Sequence, residues 1–247
     1  MEQPVLHLEK IKLNKQNKTI LEVDKFQVNE GEIIGVVGPN GAGKSTLIKI
    51  MSFLEKPSSG SIYFNGGHLI NSDVDINLRR EIAVVFQQPL MFDTTVYNNV
   101  AASLQLRRVS KNVTKEKVEY WLRKFGIEHL AKRYARTLSG GEVQRVALAR
   151  AMVYDPKILF MDEPFTALDS PSRKKLLQDF KSVLSETKTT TIFVSHDYQE
   201  IKYLCSEMVI LFEGRMIQRS GIQAFDTSSL PRKLALFLED WMKPLVT

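Results

Sequence analysis

The chain has 247 residues, of which 43% are hydrophobic and 25% are charged, and its formal net charge is +6. These proportions are typical of a globular protein with an ample core, and they exclude fibrous and disordered classes. No apolar run reaches the ~18 residues that a membrane-spanning helix needs, and the segment after Met1 lacks the basic and apolar parts of a secretory signal. Cys205 is the single cysteine, which excludes an intramolecular disulfide framework and favours a cytoplasmic protein.

The positive charge is spread along the chain and is not gathered into one patch. Its short clusters lie at 107–108, 132–133 and 173–175, where solvated helix faces explain them. Nucleic-acid binders usually gather such charge into a patch with interleaved aromatic side chains. We therefore expect no nucleic-acid partner, while attraction to an anionic membrane surface stays open.

The N-terminal region predicts a small antiparallel β part. Apolar and polar residues alternate over 4–30, as in the runs 5–8 and 11–13, which is typical of strands with one buried face. A buried strand is predicted next at 32–37, and an amphipathic helix follows at 46–54.

Residues 38–46 join that strand to that helix and read Gly-Pro-Asn-Gly-Ala-Gly-Lys-Ser-Thr, the phosphate-loop pattern. Glycines let backbone N–H groups turn inward onto phosphate oxygens, and the helix directs its positive N-terminal end at the anion. Lys44 then reaches the β- and γ-phosphates, while the Ser45 hydroxyl ligates Mg²⁺. The predicted nucleotide-binding residues are Gly38, Pro39, Asn40, Gly41, Ala42, Gly43, Lys44, Ser45 and Thr46.

In the middle of the chain, the spacing of the hydrophobic residues changes from that of strands to that of helices. Strands are predicted at 61–64 and 82–86, and helical periodicity then runs from about 94 to 136. Helices and strands alternate after it: helix 142–153, strand 157–161, helix 172–184, strand 191–194 and helix 198–205. This layout predicts an α/β fold with a parallel sheet, helices on both faces and an all-helical insertion. A last helix is predicted at 231–241.

Two carboxylates, Asp162 and Glu163, follow the apolar strand at 157–161. In a phosphate-loop fold the first would hold Mg²⁺ through water at the carboxyl end of the strand. The second would orient and activate the attacking water as a general base. Alone, this pattern also fits a surface turn; the phosphate loop on the same chain favours the active-site interpretation.

A second anion site is predicted after the helical insertion, where 138–142 read Leu-Ser-Gly-Gly-Glu. Ser139 is placed to cap the next helix, and Gly140 and Gly141 expose the first N–H groups of that helix. A capped helix start is an ordinary structural feature, but the same geometry binds anions.

These motifs together resemble those of the ATP-binding-cassette ATPases. The order is the phosphate loop, the motif at 138–142, Asp-Glu at 162–163 and Val-Ser-His-Asp at 194–197, and the resemblance covers essentially the full chain. It implies ATP and Mg²⁺ as cofactors and one domain over 1–247. The implied fold is a P-loop NTPase core over 1–93 and 137–247, with an N-terminal antiparallel β part and a helical subdomain over 94–136.

The resemblance also assigns roles to single residues. It makes Gln87 the glutamine that senses Mg²⁺ and γ-phosphate and faces the transport partner. It directs the signature loop, Ser139, Gly140 and Gly141, at ATP bound to a second copy in a head-to-tail dimer, with 167–169 crossing the dimer interface. The implied catalytic residues are Glu163, the switch histidine His196 and Lys44, and the implied metal ligands are Ser45, Gln87 and Asp162.

Two positions depart from the family pattern. Glu142 replaces the glutamine that most often ends the signature, which is a frequent variant. An aromatic residue that stacks on adenine is usual near position 15, where this chain has Lys15. We therefore expect weak discrimination between ATP and GTP.

Within the family, the chain looks like the ATPase subunit of a membrane importer, peripheral on the inner face of the cell membrane. The runs 87–100 and 162–169 resemble importer cassettes, and 50–57 looks most like tungstate-type oxyanion importers. Its partners would be a separate membrane permease and, indirectly, an extracytoplasmic solute-binding protein. Two alternatives stay open: a soluble scaffold ATPase, as in iron–sulfur cluster assembly, and a cassette that acts on nucleic acid or ribosomes.

Overall fold

The structure, a computed structural model, describes residues 3–69, 74–166, 168–228 and 230–242. The chain divides into two compact units. The first unit comprises Met1–Arg80 and Thr190–Thr247, and the second unit comprises Glu81–Thr189. No helix in the described ranges is both long enough and apolar enough to cross a bilayer.

Strands and helices alternate along most of the chain. The strands are β1 Leu6–Lys15, β2 Lys18–Val28, β3 Ile33–Val37, β4 Ser59–Phe64, β5 Gly67–Leu69, β6 Ile82–Val85, β7 Ile158–Asp162, β8 Thr190–Val194, β9 Glu207–Phe212 and β10 Arg215–Gly221. The helices are α1 Lys44–Met51, α2 Ile76–Arg79, α3 Val96–Leu106, α4 Lys111–Lys124, α5 Gly140–Met152, α6 Ser170–Thr187, α7 Tyr198–Leu204 and α8 Arg232–Met242. The predicted α/β architecture is confirmed.

The first unit is built on a sheet of mixed direction, with strands in the order β5-β4-β1-β2-β10-β9-β3-β8. β1 and β2 form the predicted antiparallel hairpin, and the alternating pattern buries Leu6, Leu8 and Ile11 of β1. β3 is different, because it lies parallel to both β8 and β9 and is almost wholly buried. Its continuous apolar sequence is what a parallel strand covered on both faces requires.

The register of β3 and β8 decides where the first unit's functional loops begin. Val36 of β3 lies opposite Val194 of β8 in this parallel pair. Because parallel strands end at the same edge, the segments that follow β3 and β8 leave the sheet side by side. The phosphate loop is the first of these segments, and 195–197 is the second.

The second unit combines the helical insertion with one parallel strand pair. Val85 of β6 lies opposite Met161 of β7. The predicted apolar faces of the insertion are buried: Val96, Val100 and Leu104 on α3, and Val118, Trp121, Leu122 and Phe125 on and after α4. A further core cluster contains Phe165 and Phe180, whose rings meet edge to face at 6.2 Å.

The sequence prediction did not include β5, α2 or β10. β5 has three residues and α2 has four, so neither is long enough to show a period. β10 mixes polar and apolar residues without regular alternation, and its pairing with β9 shifts between Met216 and Gln218. Its position comes from the turn through Gly214, where φ is 78°, and not from a buried face.

Candidate active site

The phosphate loop has the predicted strand–loop–helix context in the first unit. A Cβ atom on Gly38 would lie 2.0 Å from the carbonyl oxygen of Leu211, so no larger residue fits there without moving the backbone. Gly43 caps α1 in the left-handed region, at φ 100°. The first N–H groups of a helix have no acceptor within that helix. They therefore point ahead of α1, as a phosphate group requires.

Lys44 is held inside its own loop. Its ammonium nitrogen donates to the carbonyl oxygens of Gly38, at 2.8 Å, and Pro39, at 3.1 Å, and the side chain is buried. The ammonium group of Lys44 is thus held on the inner side of the loop, where its charge attracts phosphate. Ser45, the next residue, is exposed, so its hydroxyl is accessible to a metal ion on the same phosphates.

His196 follows β8 in a segment with several defined hydrogen bonds. The Ser195 hydroxyl donates to the buried Glu200 carboxylate at 2.5 Å and accepts from the Asp197 N–H at 2.9 Å. Asp197 in turn caps α7 by accepting from the Gln199 N–H at 2.8 Å. The sequence did not indicate this role of Glu200, which accepts from a hydroxyl outside its own helix.

Asp162 and Glu163 lie at the carboxyl end of the strand pair in the second unit. Asp162 is the last residue of β7, and Glu163 follows it in the left-handed region at φ 51°. Non-glycine residues adopt this conformation at a cost, and such strain concentrates at functional sites. Gln87 is exposed two residues after β6, so it leaves the same edge of this strand pair.

The residues present fit a bound Mg²⁺ ion. The Oδ1 atom of Asp162 is buried and has no hydrogen-bond partner within the described ranges. A buried carboxylate oxygen without a partner is costly, so its retention needs an explanation such as a missing ion or water. No group of three or more His, Cys, Asp or Glu that could hold a metal occurs in the described part of the chain. Mg²⁺ usually needs no such cage, since it binds one or two carboxylates, waters and substrate phosphates.

The signature motif begins α5 with a complete capping box. The Ser139 hydroxyl accepts from the Glu142 N–H at 3.4 Å, and the Glu142 carboxylate accepts from the Ser139 N–H at 2.7 Å. The pKa of the Glu142 carboxyl lies below its ordinary value, mainly because the charged carboxylate accepts a hydrogen bond from the Ser139 N–H. Because this box forms, α5 starts at Gly140, two residues before the predicted start.

Two further loops have local supports that the sequence analysis did not predict. The buried Asn99 side chain accepts from the Phe92 N–H at 2.9 Å and donates to the Phe92 carbonyl at 3.1 Å, which folds the segment after Gln87. In the predicted interface loop, Asp169 caps α6 by accepting from the Ser172 N–H at 3.0 Å. Ala167 lies outside the described residues.

A family model described as ABC transporter matches residues 21–166, which is more than half of the chain. The chain belongs to the ABC transporter family. It is an ATPase cassette of that family, with ATP and Mg²⁺ as substrate and cofactor. The matched range contains the phosphate loop, Gln87, the signature, Asp162 and Glu163, while His196 lies beyond it.

The cassette is similar to ATP-binding proteins of several importers. It is 39% identical to a probable sulfate/thiosulfate import ATP-binding protein of Chlorella vulgaris, over 80% of this chain and 83% of that protein. It is 37% identical to a methionine import ATP-binding protein of Haemophilus influenzae, over 83% of this chain and 61% of that protein. It is 35% identical to a spermidine/putrescine import ATP-binding protein of Spiroplasma citri, over 91% of this chain and 63% of that protein. The chain thus spans less than two thirds of the last two relatives.

Solved structures agree with the fold of the cassette. CbiO1 of Clostridium perfringens, part of the ABC transporter complex cbiONQ, matches with a TM-score of 0.82 and 30% identity over 89% of each chain. A dimeric ATP-binding cassette in a post-hydrolysis state with ADP and Pi matches with a TM-score of 0.78 and 28% identity. That match covers 89% of this chain and 100% of the other.

Proposed function

We propose that this cassette is the ATP-hydrolysing subunit of a membrane importer. In this account two copies close head-to-tail around two ATP molecules and drive a separate permease, which receives cargo from an extracytoplasmic solute-binding protein. The observation that carries the hydrolytic part is the buried, unpartnered Oδ1 of Asp162, directly before Glu163. An importer role is supported by the import proteins to which the chain is similar.

Each predicted residue has a role in the proposed hydrolysis. Lys44 and the N–H groups that begin α1 hold the β- and γ-phosphates. Ser45, Gln87 and Asp162 would hold Mg²⁺, which when bound neutralises charge on the β- and γ-phosphate oxygens.

The remaining roles concern the attacking water and the γ-phosphate. Glu163 orients that water and accepts its proton, so that the hydroxide equivalent attacks the γ-phosphorus. His196 contacts the γ-phosphate from the segment after β8. The signature loop of Ser139, Gly140 and Gly141 faces the γ-phosphate held by the second copy, so hydrolysis requires the dimer.

A permease contact is supported by exposed apolar side chains around Gln87. Phe86, Leu90 and Phe92 are 40%, 86% and 55% exposed, within seven residues of one another. A concentration of large apolar side chains on one surface segment is typical of a protein interaction site. We define this segment, 86–92, as the apolar loop, and we propose it as the contact with the permease.

For the cargo, we propose a tetrahedral oxyanion such as tungstate. The support is the sulfate/thiosulfate import relative, whose cargo is of the same chemical class. A methionine import relative has nearly the same identity. The experiment therefore needs cargoes of more than one class.

The test is to purify the cassette with its membrane partner and to measure ATP hydrolysis in proteoliposomes. The solute-binding protein is added empty or loaded with tungstate, sulfate, methionine or spermidine. We expect the tungstate- or sulfate-loaded protein to stimulate hydrolysis severalfold over the empty protein. Stimulation by methionine or spermidine alone would overturn the cargo proposal, and a partner set of soluble proteins only would overturn the importer role.

A pair of matched variants tests the apolar loop. Leu90→Glu should abolish co-purification of the permease, because a charge replaces the most exposed apolar side chain of the loop. Leu106→Glu is the control, since Leu106 is 79% exposed at the end of α3 but lies outside the loop. Equal co-purification of both variants would contradict this contact.

A further inference from the structure

The C-terminal helix α8 is hydrogen-bonded to His196, one of the residues of the first unit that have a role in the proposed hydrolysis. The indole Nε1 of Trp241 donates a hydrogen bond to the backbone carbonyl oxygen of His196 at 2.5 Å. The Trp241 ring also meets the Tyr198 ring edge to face, with centroids 5.1 Å apart. Trp241 thus contacts the residues on either side of Asp197, at the start of α7.

The position of Trp241 is fixed by the helix that carries it. Leu234 and Leu238 of α8 are fully buried, and Trp241 lies seven residues after the first and three after the second. Residues at these spacings share one helix face. The indole is therefore presented on the same face that anchors α8 to the protein, in the last turn of the helix.

The His196 segment is also held from its own neighbourhood, through Ser195 and Asp197. Ser195 bonds to Glu200, and Asp197 bonds to the N–H of Gln199. Among the hydrogen bonds given above for 195–197, the one from Trp241 alone reaches the backbone of His196 from a distant element, 45 residues along the chain. Its loss would remove one restraint on the His196 peptide, while the bonds of Ser195 and Asp197 would remain.

We propose that Trp241 is a positioning residue for His196 and that, through it, α8 sets the rate of ATP hydrolysis. This proposal rests on the proposed role of His196 at the γ-phosphate. A histidine that must meet the γ-phosphate within hydrogen-bond distance loses efficiency when its backbone is displaced by about 1 Å. The contacts described for Trp241 go to His196 and Tyr198 and not to the phosphate loop, so we expect nucleotide binding to change little when they are lost.

The test compares kcat and KM for ATP in the full chain and in Trp241→Phe. Phenylalanine keeps a ring against Tyr198 but lacks the N–H donor. We expect kcat to fall about three- to tenfold, as the loss of one hydrogen bond allows, with KM changed less than about twofold. The matched control is Trp121→Phe, the other tryptophan, which is buried in α4 of the second unit and should leave kcat unchanged.

A double variant separates positioning from a general structural effect. In a His196→Ala background, Trp241→Phe should produce no further fall in kcat, because the imidazole that Trp241 positions is already absent. A fall of the same factor in both backgrounds would overturn the proposal. So would a Trp241→Phe variant with the kcat of the unaltered chain.

A second readout does not depend on activity. Amide hydrogen exchange in a peptide that covers 195–199 should be faster in Trp241→Phe than in the unaltered chain, and unchanged in Trp121→Phe. Unchanged exchange in both would also overturn the proposal. If the unaltered chain hydrolyses no ATP, the proposed function fails and this inference fails with it; if only the Trp241→Phe results fail, the proposed function stands.

Discussion

The Glu142 carboxylate closes on Ser139 at the start of α5, where it accepts hydrogen bonds from both the N–H, at 2.7 Å, and the hydroxyl, at 2.8 Å. A negative charge therefore lies at the same helix N-terminus that the proposed dimer directs at the partner's γ-phosphate. The charge stabilises the helix through the cap and the macrodipole. In the proposed closed dimer, however, it would oppose a second anion.

Glu142→Gln should separate these two effects. A glutamine side chain still accepts from the Ser139 N–H, so the cap persists, but the charge is gone. We expect tighter ATP-dependent dimerisation, on the order of threefold, because the removed repulsion is comparable to a helix-terminus charge effect. Glu142→Ala, which removes the cap as well, should lower the free energy of unfolding by about 0.3–1.5 kcal/mol. Sedimentation with ATP and chemical denaturation measure the two quantities; weaker dimerisation of Glu142→Gln would contradict the account.

The same carboxylate gives a pH dependence with a defined sign. The folded-state pKa of Glu142 lies below its ordinary value, because the Ser139 N–H favours the charged form. Its contribution to stability is therefore present above the unfolded pKa, about 4.3. It is lost as the pH falls through the folded pKa. The difference in stability between the unaltered chain and Glu142→Gln should shrink below about pH 4.

Gly38 offers a direct test of the phosphate cradle. In Gly38→Ala the new Cβ would lie 2.0 Å from the Leu211 carbonyl oxygen, so the loop has to move. We expect ATP affinity to fall more than about tenfold, or about 1.4 kcal/mol. Gly126→Ala is the control: Gly126 also has positive φ, at 66°, but nothing lies within 4 Å of its Cβ position. It should lose about 1 kcal/mol of stability and keep its ATP affinity; equal losses of affinity would contradict the cradle.

Much of the fold followed from hydrophobic period and local chemistry. The alternation at 5–8 and 11–13 correctly predicted the β1–β2 hairpin, and the helical face of Val96, Val100 and Leu104 correctly predicted α3. These elements could be predicted because each buries one face, and that face appears in the sequence as a regular spacing of apolar residues. β10 was not readable, since its place depends on pairing with β9 and not on its own sequence.

The positions of the motifs could also be predicted from the sequence, but the hydrogen bonds that hold these segments could not. The strand contexts of Lys44, Asp162 and Glu163 are as the sequence predicted, and the functional roles of these residues stay predictions. The contact of Trp241 with His196 joins residues 45 apart in sequence, so no local pattern could indicate it. Asn99 was hidden for a related reason: a buried amide that bonds to the Phe92 backbone has no periodic signature.

The ion pair between Lys15 and Glu55 bears on nucleotide choice. The resemblance to the family predicts Lys15 at the position of the adenine-stacking aromatic, and its ammonium is paired with a carboxylate of the protein. Without an aromatic surface, affinity should come mainly from the triphosphate, which ATP and GTP share. We expect isothermal titration to show less than about a thirtyfold preference for ATP, or roughly 2 kcal/mol. A larger preference would mean that another residue reads adenine.

A tyrosine scan of the β1–β2 turn completes that test. Lys15→Tyr should tighten the binding of both ATP and GTP, because base–aromatic stacking is worth about 1–3 kcal/mol in nucleic-acid systems. Lys18→Tyr is the control, since Lys18 lies opposite Lys15 in the hairpin register and is exposed. It should leave both affinities unchanged.

The central claim is that two copies enclose ATP and that Glu163 supplies the base. Glu163→Gln keeps the shape of the side chain but cannot accept the proton from water, so ATP-bound dimers should accumulate. Adding Ser139→Arg should abolish these dimers while the monomer still binds ATP, since the bulky cation obstructs the partner's γ-phosphate. The measurement is the molar mass of Glu163→Gln with saturating ATP and Mg²⁺, by size-exclusion chromatography with light scattering. The account predicts a dimer that returns to monomer when nucleotide is removed; a Glu163→Gln protein that stays monomeric, with or without its permease, would contradict it.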